Sequence, residues 1–172
     1  ILVCISHVPD TTSKINFIDN DTKFDTNGVQ FVINPNDEFG LTRAMWLKEK
    51  QGASITVVSV GGSETEPTLR KALAIGADEA IRINTEAKDG ITVAKELSHV
   101  IQDRGFDLVI AGRESIDYNG GMVPGMVAAL TNANFVNNCI SLEIDGSVVK
   151  AIREIDGGKE TLETSLPLVI GG

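Results

Sequence analysis

One stretch of this sequence combines charged side chains, amide side chains and paired glycines between two apolar segments. It reads AGRESIDYNGGMVPGM and spans residues 111–126. A helix start offers unpaired backbone amides and a partial positive charge, and glycine lets an anionic group approach the backbone closely. Arg113 adds a bidentate donor, while Ser115, Asp117 and Asn119 supply partners for a ribose or a base edge. The stretch predicts a nucleotide or phosphate loop; the alternative is a glycine-rich loop that binds nothing.

This stretch directly follows an apolar run, Leu-Val-Ile at residues 108–110, and it is not alone in that position. Residues 6–12 and 61–63 are also polar or glycine-rich and also follow apolar runs, whereas residues 84–86 form a less distinctive turn. In an open parallel sheet, ligands bind beyond the carboxyl ends of the strands, where neighbouring crossovers diverge. We therefore expect a binding site where the ends of these strands meet.

The elements that would position these segments alternate between strand and helix. The patterns predict strands at 1–5, 54–60, 79–83 and 107–111, helices at about 35–50, 64–75, 91–103 and after residue 121, and short strands with turns within 14–33. Such alternation implies right-handed crossovers and a parallel sheet. Past residue 134 the pattern changes to alternating segments at 140–144, 148–155 and 160–166, separated by Asp-Gly turns, which predicts an antiparallel meander.

The predicted fold class is therefore α/β. We expect one nucleotide-binding domain over residues 1–172, with a mostly parallel twisted sheet, helices on both faces and a small antiparallel β meander toward the C-terminus. Ile1 is not an initiator residue, and the sequence ends directly after a strand, so we expect the natural chain to be longer.

Residues 34–37, Asn-Pro-Asn-Asp, mark the start of the first long helix. Asn34 is held extended by the proline after it and can cap, Pro35 suits the first helical position, and Asp37 lies near the positive end of the helix. From the residues alone we favour a structural role for this cap. Further along the same helix, Trp46 is expected in the core or in an interface.

Charge and hydropathy exclude several classes of function. The net charge of −9 repels nucleic acid, because phosphate binding depends on Lys and Arg neutralising charge. Any phosphate must instead be held locally, by backbone amides or by one well-placed arginine. No apolar stretch approaches the roughly 18 to 20 residues that a membrane span needs, and no signal sequence opens the chain. We expect no nucleic-acid partner and no membrane insertion.

The residues most often used for catalysis form no constellation here. Cys4 and Cys139 match no metal spacing, and His7 and His99 share no motif with them, so neither a metal site nor Cys–His catalysis is expected. Cys4 is expected to be a buried small hydrophobe and His7 a surface histidine. Phosphate-binding, dinucleotide-binding and nucleophile-elbow motifs are absent. The isolated thiols suit a reducing compartment, and we expect the cytoplasm, of a bacterium rather than a mitochondrial matrix.

Five segments together resemble the beta subunit of electron-transfer flavoprotein. They are ILVCISHVPDT at 1–11, VINPNDEFGL at 32–41, TLRKALAIGADEAI at 68–81, DLVIAGRESIDYNGG at 107–121 and REIDGGKETLE at 153–163. They occur in the order and spacing of that family and cover nearly the whole sequence. The resemblance implies the adenine-nucleotide alpha-hydrolase-like form of the fold.

The resemblance also implies a function and partners. The family forms a heterodimer with an alpha subunit that carries FAD, accepts electrons from flavin dehydrogenases and passes them to a quinone oxidoreductase or another acceptor. The beta subunit is then an electron-carrier subunit and not an enzyme. It binds a structural AMP in many members, or a second FAD in electron-bifurcating ones. The segment around Pro9 to Thr12 is similar to the part that borders the flavin of the alpha subunit.

Carried over residue by residue, the nucleotide site of the family falls on the predicted strand ends and on the first helix start. Its residues are Cys4; Asn34, Pro35, Asn36 and Asp37; Val60; and Gly112, Arg113, Glu114, Ser115, Ile116, Asp117, Tyr118, Asn119, Gly120, Gly121, Met122 and Val123.

The sequence also departs from the family. The family loop commonly reads Gly-Arg-Gln-Ala-Ile-Asp-Gly-Asp-Thr, and here the Gln, Ala, Gly, second Asp and Thr are replaced by Glu114, Ser115, Tyr118, Asn119 and Gly120. A phosphate donor is lost with the Thr hydroxyl, although Gly120 keeps its amide. Met122 stands where Gln is usual, which predicts a less polar pocket wall. The family continues past residue 172 with a partner-recognition loop and a C-terminal arm, and both are absent from this chain.

Two other classes of function are alternatives to an electron carrier. A free-standing adenine-nucleotide sensor of similar fold would need no alpha subunit and would carry no flavin. A nicotinamide-dependent or adenylating enzyme would need a dinucleotide fingerprint or a pyrophosphate loop, and neither is present.

Overall fold

Short apolar strands form the centre of the computed structural model, which describes residues 1–172. The strands, in chain order, are β1 Leu2–Cys4, β2 His7–Pro9, β3 Phe17–Ile18, β4 Lys23–Phe24, β5 Phe31–Ile33, β6 Thr56–Val60, β7 Glu79–Ile83, β8 Leu108–Ala111, β9 Asn134–Val136, β10 Cys139–Asp145, β11 Val148–Ile155, β12 Gly158–Ser165 and β13 Leu168–Gly171. The helices are α1 Pro35–Gln51, α2 Glu66–Ile75, α3 Gly90–Arg104 and α4 Val123–Thr131, with one 3-10 turn at Ser63–Thr65.

The main sheet has six strands in the order β7-β6-β1-β8-β13-β9, and every pairing in it is parallel. Strand β1 lies in the interior of the sheet, where Val3 is opposite Val57 of β6 and Ile110 of β8. Parallel strands covered on both faces carry continuous apolar runs, and Leu2 and Val3 are accordingly fully buried. The predicted parallel α/β sheet is confirmed.

Successive side chains of each strand point to opposite faces of the sheet, so the core has two halves. On one face, Val3 and Ile110 pack with Leu41 of α1 and Val149 of the meander. On the other face, a second cluster forms between the sheet and helices α3 and α4; it includes Leu2, Val58, Ala94, Leu97, Val109 and Val127. Helices therefore cover both faces, as the sequence predicts.

Helix α1 begins with Pro35 in its first turn and ends at Gln51. The next residue, Gly52, has a left-handed conformation (φ 71°), and its amide donates to the carbonyl of Lys48. The helix lies very close to β8: a Cβ atom on Gly40 would come within 2.8 Å of Ile110 Cγ2. This close approach holds the start of α1 beside the carboxyl ends of β1 and β8.

Strands β10, β11 and β12 form the predicted antiparallel meander, and the Arg43 guanidinium of α1 donates a hydrogen bond to the carbonyl of Leu142 in β10. The sequence-based interpretation assigned the region past residue 134 to this meander, and it missed two strands of the main sheet. Strand β9 is an edge strand, and β13 lies between β9 and β8. A parallel neighbour usually requires a crossover helix. Here the meander itself provides the connection, so the expected strand–helix alternation is absent.

Trp46 is 52% exposed, and Arg43 and Lys50 lie 5.8 and 5.9 Å from its ring, so it does not lie in the core, and a place in an interface stays a prediction. The expectation for His7 is corrected. His7 is half-buried: it stacks on Phe31 at a centroid distance of 4.4 Å, and its Nδ1 hydrogen-bonds Thr68 Oγ1 at 2.7 Å.

The short strands predicted within residues 14–33 are present as β3, β4 and β5. None of the helices is long and apolar enough to cross a membrane.

Candidate functional site

The carboxyl ends of β1, β6 and β8 open into one cavity of about 520 Å³. The starts of α3 and α4 also line it, through Gly90 and Val123. Apolar side chains form part of its surface, including Cys4, Val58, Val60, Val93, Leu97 and Met122. A cavity with both apolar walls and two helix starts can take a ligand that has a flat apolar part and an anionic part.

The carboxylate of Asp37 connects the elements on one side of this cavity. Its Oδ2 accepts a hydrogen bond from the amide of Ser6, just after β1, and its Oδ1 accepts one from the amide of Gly112, just after β8; both distances are 2.8 Å. Asp37 is 3% exposed. Burial raises the pKa of Asp37 to about 6, and the hydrogen bonds from Ser6 and Gly112 partly oppose that rise.

The other side chains of the helix start hold the loop formed by residues 112–121. Asn34 is fully buried; its amide donates to the carbonyl of Glu114 at 3.0 Å, and its Oδ1 accepts from the amide of Ile116 at 3.1 Å. Asn36 donates to the same carbonyl of Glu114 at 2.8 Å. Asn34 occupies the N-cap position, but its side chain makes no capping hydrogen bond. The predicted side-chain cap is therefore wrong, because the loop of residues 112–121 engages that side chain instead.

Glycine is required at position 112 because the first turn of α1 lies too close to leave room for a side chain. A Cβ atom at this position would lie 2.7 Å from Asn36 Cβ and would also contact a carboxylate oxygen of Asp37. No side chain fits there without moving α1 or the loop. Gly112 thus lets the end of β8 come into hydrogen-bond contact with the first turn of α1.

The second half of the loop presents free backbone donors. Asn119 turns the chain in a left-handed conformation (φ 49°), and its amide bonds the carbonyl of Ser115 at 2.8 Å. The amides of Gly120, Gly121 and Met122 have no acceptor within the chain. Helix α4 begins at the next residue, Val123. These amides lie at a helix start beside the cavity, and backbone amides in such a place can bind an anion. Phosphate binding here stays a prediction.

The charge around the cavity is mainly negative. Six acidic side chains line it, against one arginine and one lysine; the acidic residues are Asp37, Glu64, Glu86, Asp89, Glu114 and Asp117. Several of these carboxylates already have partners: Glu64 accepts from the amide of Gly62 at 2.8 Å, and Glu114 pairs with Arg113 at 3.2 Å. An anionic group here would therefore depend on backbone amides, Arg113 and Lys88.

A thiol, Cys4, and an imidazole, His7, also line the cavity. Burial raises the pKa of the Cys4 thiol, and the nearby Asp37 raises it further, so Cys4 stays a neutral thiol. Burial lowers the pKa of His7. No group of His, Cys, Asp and Glu side chains is arranged to hold a metal ion. The cavity can bind and orient a ligand, and it offers no activated nucleophile.

Most of the predicted site residues lie around this one cavity. Those that line it are Cys4, Asp37, Val60, Gly112, Arg113, Glu114, Ser115, Asp117, Tyr118, Gly120, Gly121, Met122 and Val123. Five do not line it: Asn34, Pro35, Asn36, Ile116 and Asn119. Among these five, Asn34 and Asn36 act on the cavity through their contacts with the loop.

Sequence reasoning missed one wall of the cavity, the segment of residues 86–90 that follows β7. Asp89 caps α3 by accepting from the amide of Thr92 at 2.7 Å, and Gly90 lies near Val123 of α4. The Asp-Gly pair before an apolar helical stripe is a helix-start signal. That signal identifies the cap, but it does not reveal that the starts of α3 and α4 lie side by side.

The loop of residues 112–121 also borders a second, smaller cavity of about 220 Å³. Arg113, Glu114 and Gly121 line both cavities, and Phe135 and Asn137 line only the smaller one. The loop is thus a thin wall, and the half-exposed side chain of Arg113 lies at the border of both cavities.

Comparison with known proteins gives a consistent result. Residues 21–171 match the family described as "Electron transfer flavoprotein domain". The electron transfer flavoprotein subunit beta of Bacillus subtilis (strain 168) is 36% identical over 174 residues, covering 99% of this chain and 67% of the relative. The corresponding protein of Syntrophomonas wolfei is 36% identical over 172 residues, covering 99% and 68%. A probable electron transfer flavoprotein subunit beta of Saccharomyces cerevisiae is 34% identical over 177 residues, covering 99% and 68%. The chain thus spans about two thirds of the length of these relatives.

Proposed function

This chain belongs to the electron transfer flavoprotein family, among its beta subunits, and from that premise we propose that it is the nucleotide-binding half of a heterodimeric electron carrier. Its partner is an alpha subunit that carries FAD. The dimer takes electrons from flavin dehydrogenases and delivers them to a quinone oxidoreductase or another acceptor, in the cytoplasm. The beta subunit contributes binding and docking, and it has no catalytic constellation of its own.

The observation that carries this proposal is the cavity at the carboxyl ends of β1, β6 and β8. Its volume of about 520 Å³ lies within the roughly 300 to 1,000 Å³ typical of small-molecule sites. The free amides of Gly120, Gly121 and Met122 at the start of α4 suit a phosphate group, and the apolar residues suit a base. These residues fit an adenine nucleotide.

We propose AMP as the occupant. AMP needs a single phosphate site, which the free amides at the start of α4 and the nearby Arg113 provide. The amides at the start of α4 and the Arg113 guanidinium would hold the phosphate. Val60, Met122 and Val123 would border the base. A second FAD in the same cavity is the alternative, and it would make the protein an electron-bifurcating member.

The flavin of the alpha subunit would supply the redox chemistry when bound. The part of this chain is to keep a rigid surface next to it. Pro9 to Thr12 is the proposed border with the flavin. Asp10 fixes this segment locally, because its Oδ1 accepts from the amide of Thr12 at 2.8 Å and from its hydroxyl at 2.6 Å. The two hydrogen bonds lower the pKa of Asp10, so it stays ionised.

The test is to co-express the full-length protein with its matching alpha subunit and to identify the extracted nucleotides. We expect a yellow heterodimer that releases FAD and AMP in equal amounts on acid extraction. FAD in excess of one per dimer, without AMP, would assign the second FAD to this cavity. A colourless monomer that carries ATP would contradict the electron-carrier role and favour the free-standing nucleotide sensor.

A further inference from the structure

Three residues at the start of α1 are conspicuous because of what they contact. Asn34 and Asn36 do not line the large cavity, and both donate to the carbonyl of Glu114 in the loop of residues 112–121. Asp37 lines the cavity, but both of its oxygens are already engaged by backbone amides. An oxygen that accepts from Ser6 or Gly112 is not free to receive a ligand donor in the same direction. These side chains are arranged to hold the protein together around the cavity.

We propose that Asp37 is a positioning residue: its ionised carboxylate fixes the end of β1 against the loop of residues 112–121, and its protonation loosens the cavity and weakens nucleotide binding. The identity of the ligand in this inference rests on the proposed function. The contacts themselves do not depend on any ligand.

The geometry explains why the charge matters. The two amides of Ser6 and Gly112 both donate, at 2.8 Å each, to opposite oxygens of one carboxylate. An ionised carboxylate accepts at both oxygens, whereas a protonated one carries a hydrogen on one of them. At least one of the two contacts is then weakened, since the carboxyl O–H competes with a backbone N–H for the same position. Ser6 follows β1 and Gly112 is the first residue of the loop, so the loss of either contact loosens the link that Asp37 makes between β1 and the loop.

The titration range makes the effect accessible near neutral pH. Burial raises the pKa of Asp37 to about 6, so acidification from pH 7.5 to pH 5 converts most molecules to the protonated form. The other ionisable or charged groups at the strand ends, in the first turn of α1 and in the loop are Cys4, His7, Glu38, Arg113, Glu114, Asp117 and Tyr118. Cys4 stays neutral because burial raises its pKa, and Arg113 and Glu114 form an ion pair. His7, whose pKa is lowered by burial, is the other group that titrates in acid, and the phosphate of AMP titrates near pH 6 as well.

Comparison with Asp37→Asn isolates the contribution of Asp37 from those two groups. Asparagine has nearly the same shape, and it directs an NH2 group at one of the two amides at every pH. Glu38→Gln is the matched control, because it removes a carboxylate from the same helical turn. Glu38 faces Lys71 at 3.8 Å and contacts neither strand end.

The experiment uses the full-length protein in its complex with the alpha subunit. AMP affinity is measured by calorimetry at pH 7.5 and pH 5. Hydrogen exchange of the peptides that contain Ser6 and Gly112 is measured in the nucleotide-free complex, as protection relative to the intrinsic rate at each pH. For the wild type we expect AMP affinity to fall about tenfold more on acidification than it does in Asp37→Asn, and Ser6 and Gly112 to lose protection at pH 5. Asp37→Asn should bind AMP about tenfold more weakly than the wild type already at pH 7.5, and Glu38→Gln should behave as the wild type.

Equal pH dependence in the wild type and Asp37→Asn would overturn the inference, and so would unchanged protection of Ser6 and Gly112 between the two pH values. If the asparagine variant does not fold, the exchange measurement on the wild type alone decides. Absence of AMP binding by the wild type at both pH values would refute the proposed ligand. Loss of protection at Ser6 and Gly112 on acidification would still support the positioning role in that case.

Discussion

Gly112 joins the end of β8 to the first turn of α1, and its missing side chain is what makes the contact fit. Its amide donates to Asp37, and a Cβ atom would meet Asn36 at 2.7 Å. We expect Gly112→Ala to displace the loop of residues 112–121 and to destabilise the protein by about 1 to 3 kcal/mol, a typical result of forcing atoms into a packed position. Urea unfolding and the AMP content of the purified complex measure the two effects.

Gly120→Ala is the control for that substitution. Gly120 lies in the same loop and does not have a positive φ, and a Cβ atom at this position would have no other atom within 4 Å. Stability close to that of the wild type is expected. If Gly112→Ala is as stable as Gly120→Ala, the close approach at Gly112 is not required.

Arg113 is the one arginine that lines the large cavity, and it has a partial competitor for any anion in Glu114 at 3.2 Å. We expect Arg113→Ala to reduce AMP retention during gel filtration about five- to tenfold. A charge-assisted hydrogen bond to the phosphate contributes roughly 1.5 to 3 kcal/mol, and breaking the ion pair between Arg113 and Glu114 offsets part of that free energy. Arg70→Ala is the control, since Arg70 pairs with Glu66 on the exposed face of α2. Unchanged nucleotide content in Arg113→Ala would exclude Arg113 from phosphate binding.

Among the elements, α1 connects several parts of the molecule. Its first turn binds the ends of β1 and β8 through Asp37, Arg43 bonds the meander at Leu142, and the Lys48 ammonium donates to the carbonyl of Gly76 at 3.0 Å. Its apolar face packs on the sheet through Leu41. The shape of the cavity therefore depends on the position of α1 against the sheet.

We expect Leu41→Ala to destabilise the protein by about 2 to 5 kcal/mol, because Leu41 is fully buried and its loss leaves a cavity under α1. Phe39→Ala is the comparison on the same helix: Phe39 is 75% exposed, and its loss should change stability by less than about 0.5 kcal/mol. Thermal or urea unfolding of both variants gives the difference. Similar values for the two variants would mean that Leu41 does not anchor the helix.

For the whole molecule, Asp37 links the stability of the fold to pH. Burial raises its pKa to about 6, so the folded protein still binds a proton at a pH where the aspartate of an unfolded chain, titrating near pH 4, has lost it. The stabilisation from this proton is complete below about pH 4 and is lost as the pH rises through 6. Protonation of Asp37 thus stabilises the fold as a whole, whereas it weakens the proposed hydrogen bonds of Asp37 beside the cavity. Low pH should separate global stability from nucleotide binding.

The corresponding measurement compares the wild type with Asp37→Asn in urea at several pH values. Between pH 4 and pH 7, we expect the free energy of unfolding of the wild type to fall by roughly 2 to 3 kcal/mol relative to that of the variant. The difference between the two proteins cancels the contributions of the other carboxylates. A difference that does not vary with pH would show that Asp37 titrates normally.

The alternation of strands and helices, the two covered faces of the sheet and the end of the sheet where the cavity lies could all be predicted from the sequence. These features follow from local patterns: apolar runs mark buried strands, residues such as Pro35 and Gly52 mark helix ends, and parallel strands bring their polar ends to one edge. The loop of residues 112–121 was recognised for the same reason.

The strand order, with β13 between β8 and β9, could not be predicted from the sequence, and neither could the roles of Asn34 and Asp37. The pattern around Asp37 is that of an ordinary helix start, yet its carboxylate bonds an amide 75 residues away in sequence. Such contacts leave no mark in local patterns, because they exist only once the packing of α1 against β8 has brought the two segments together.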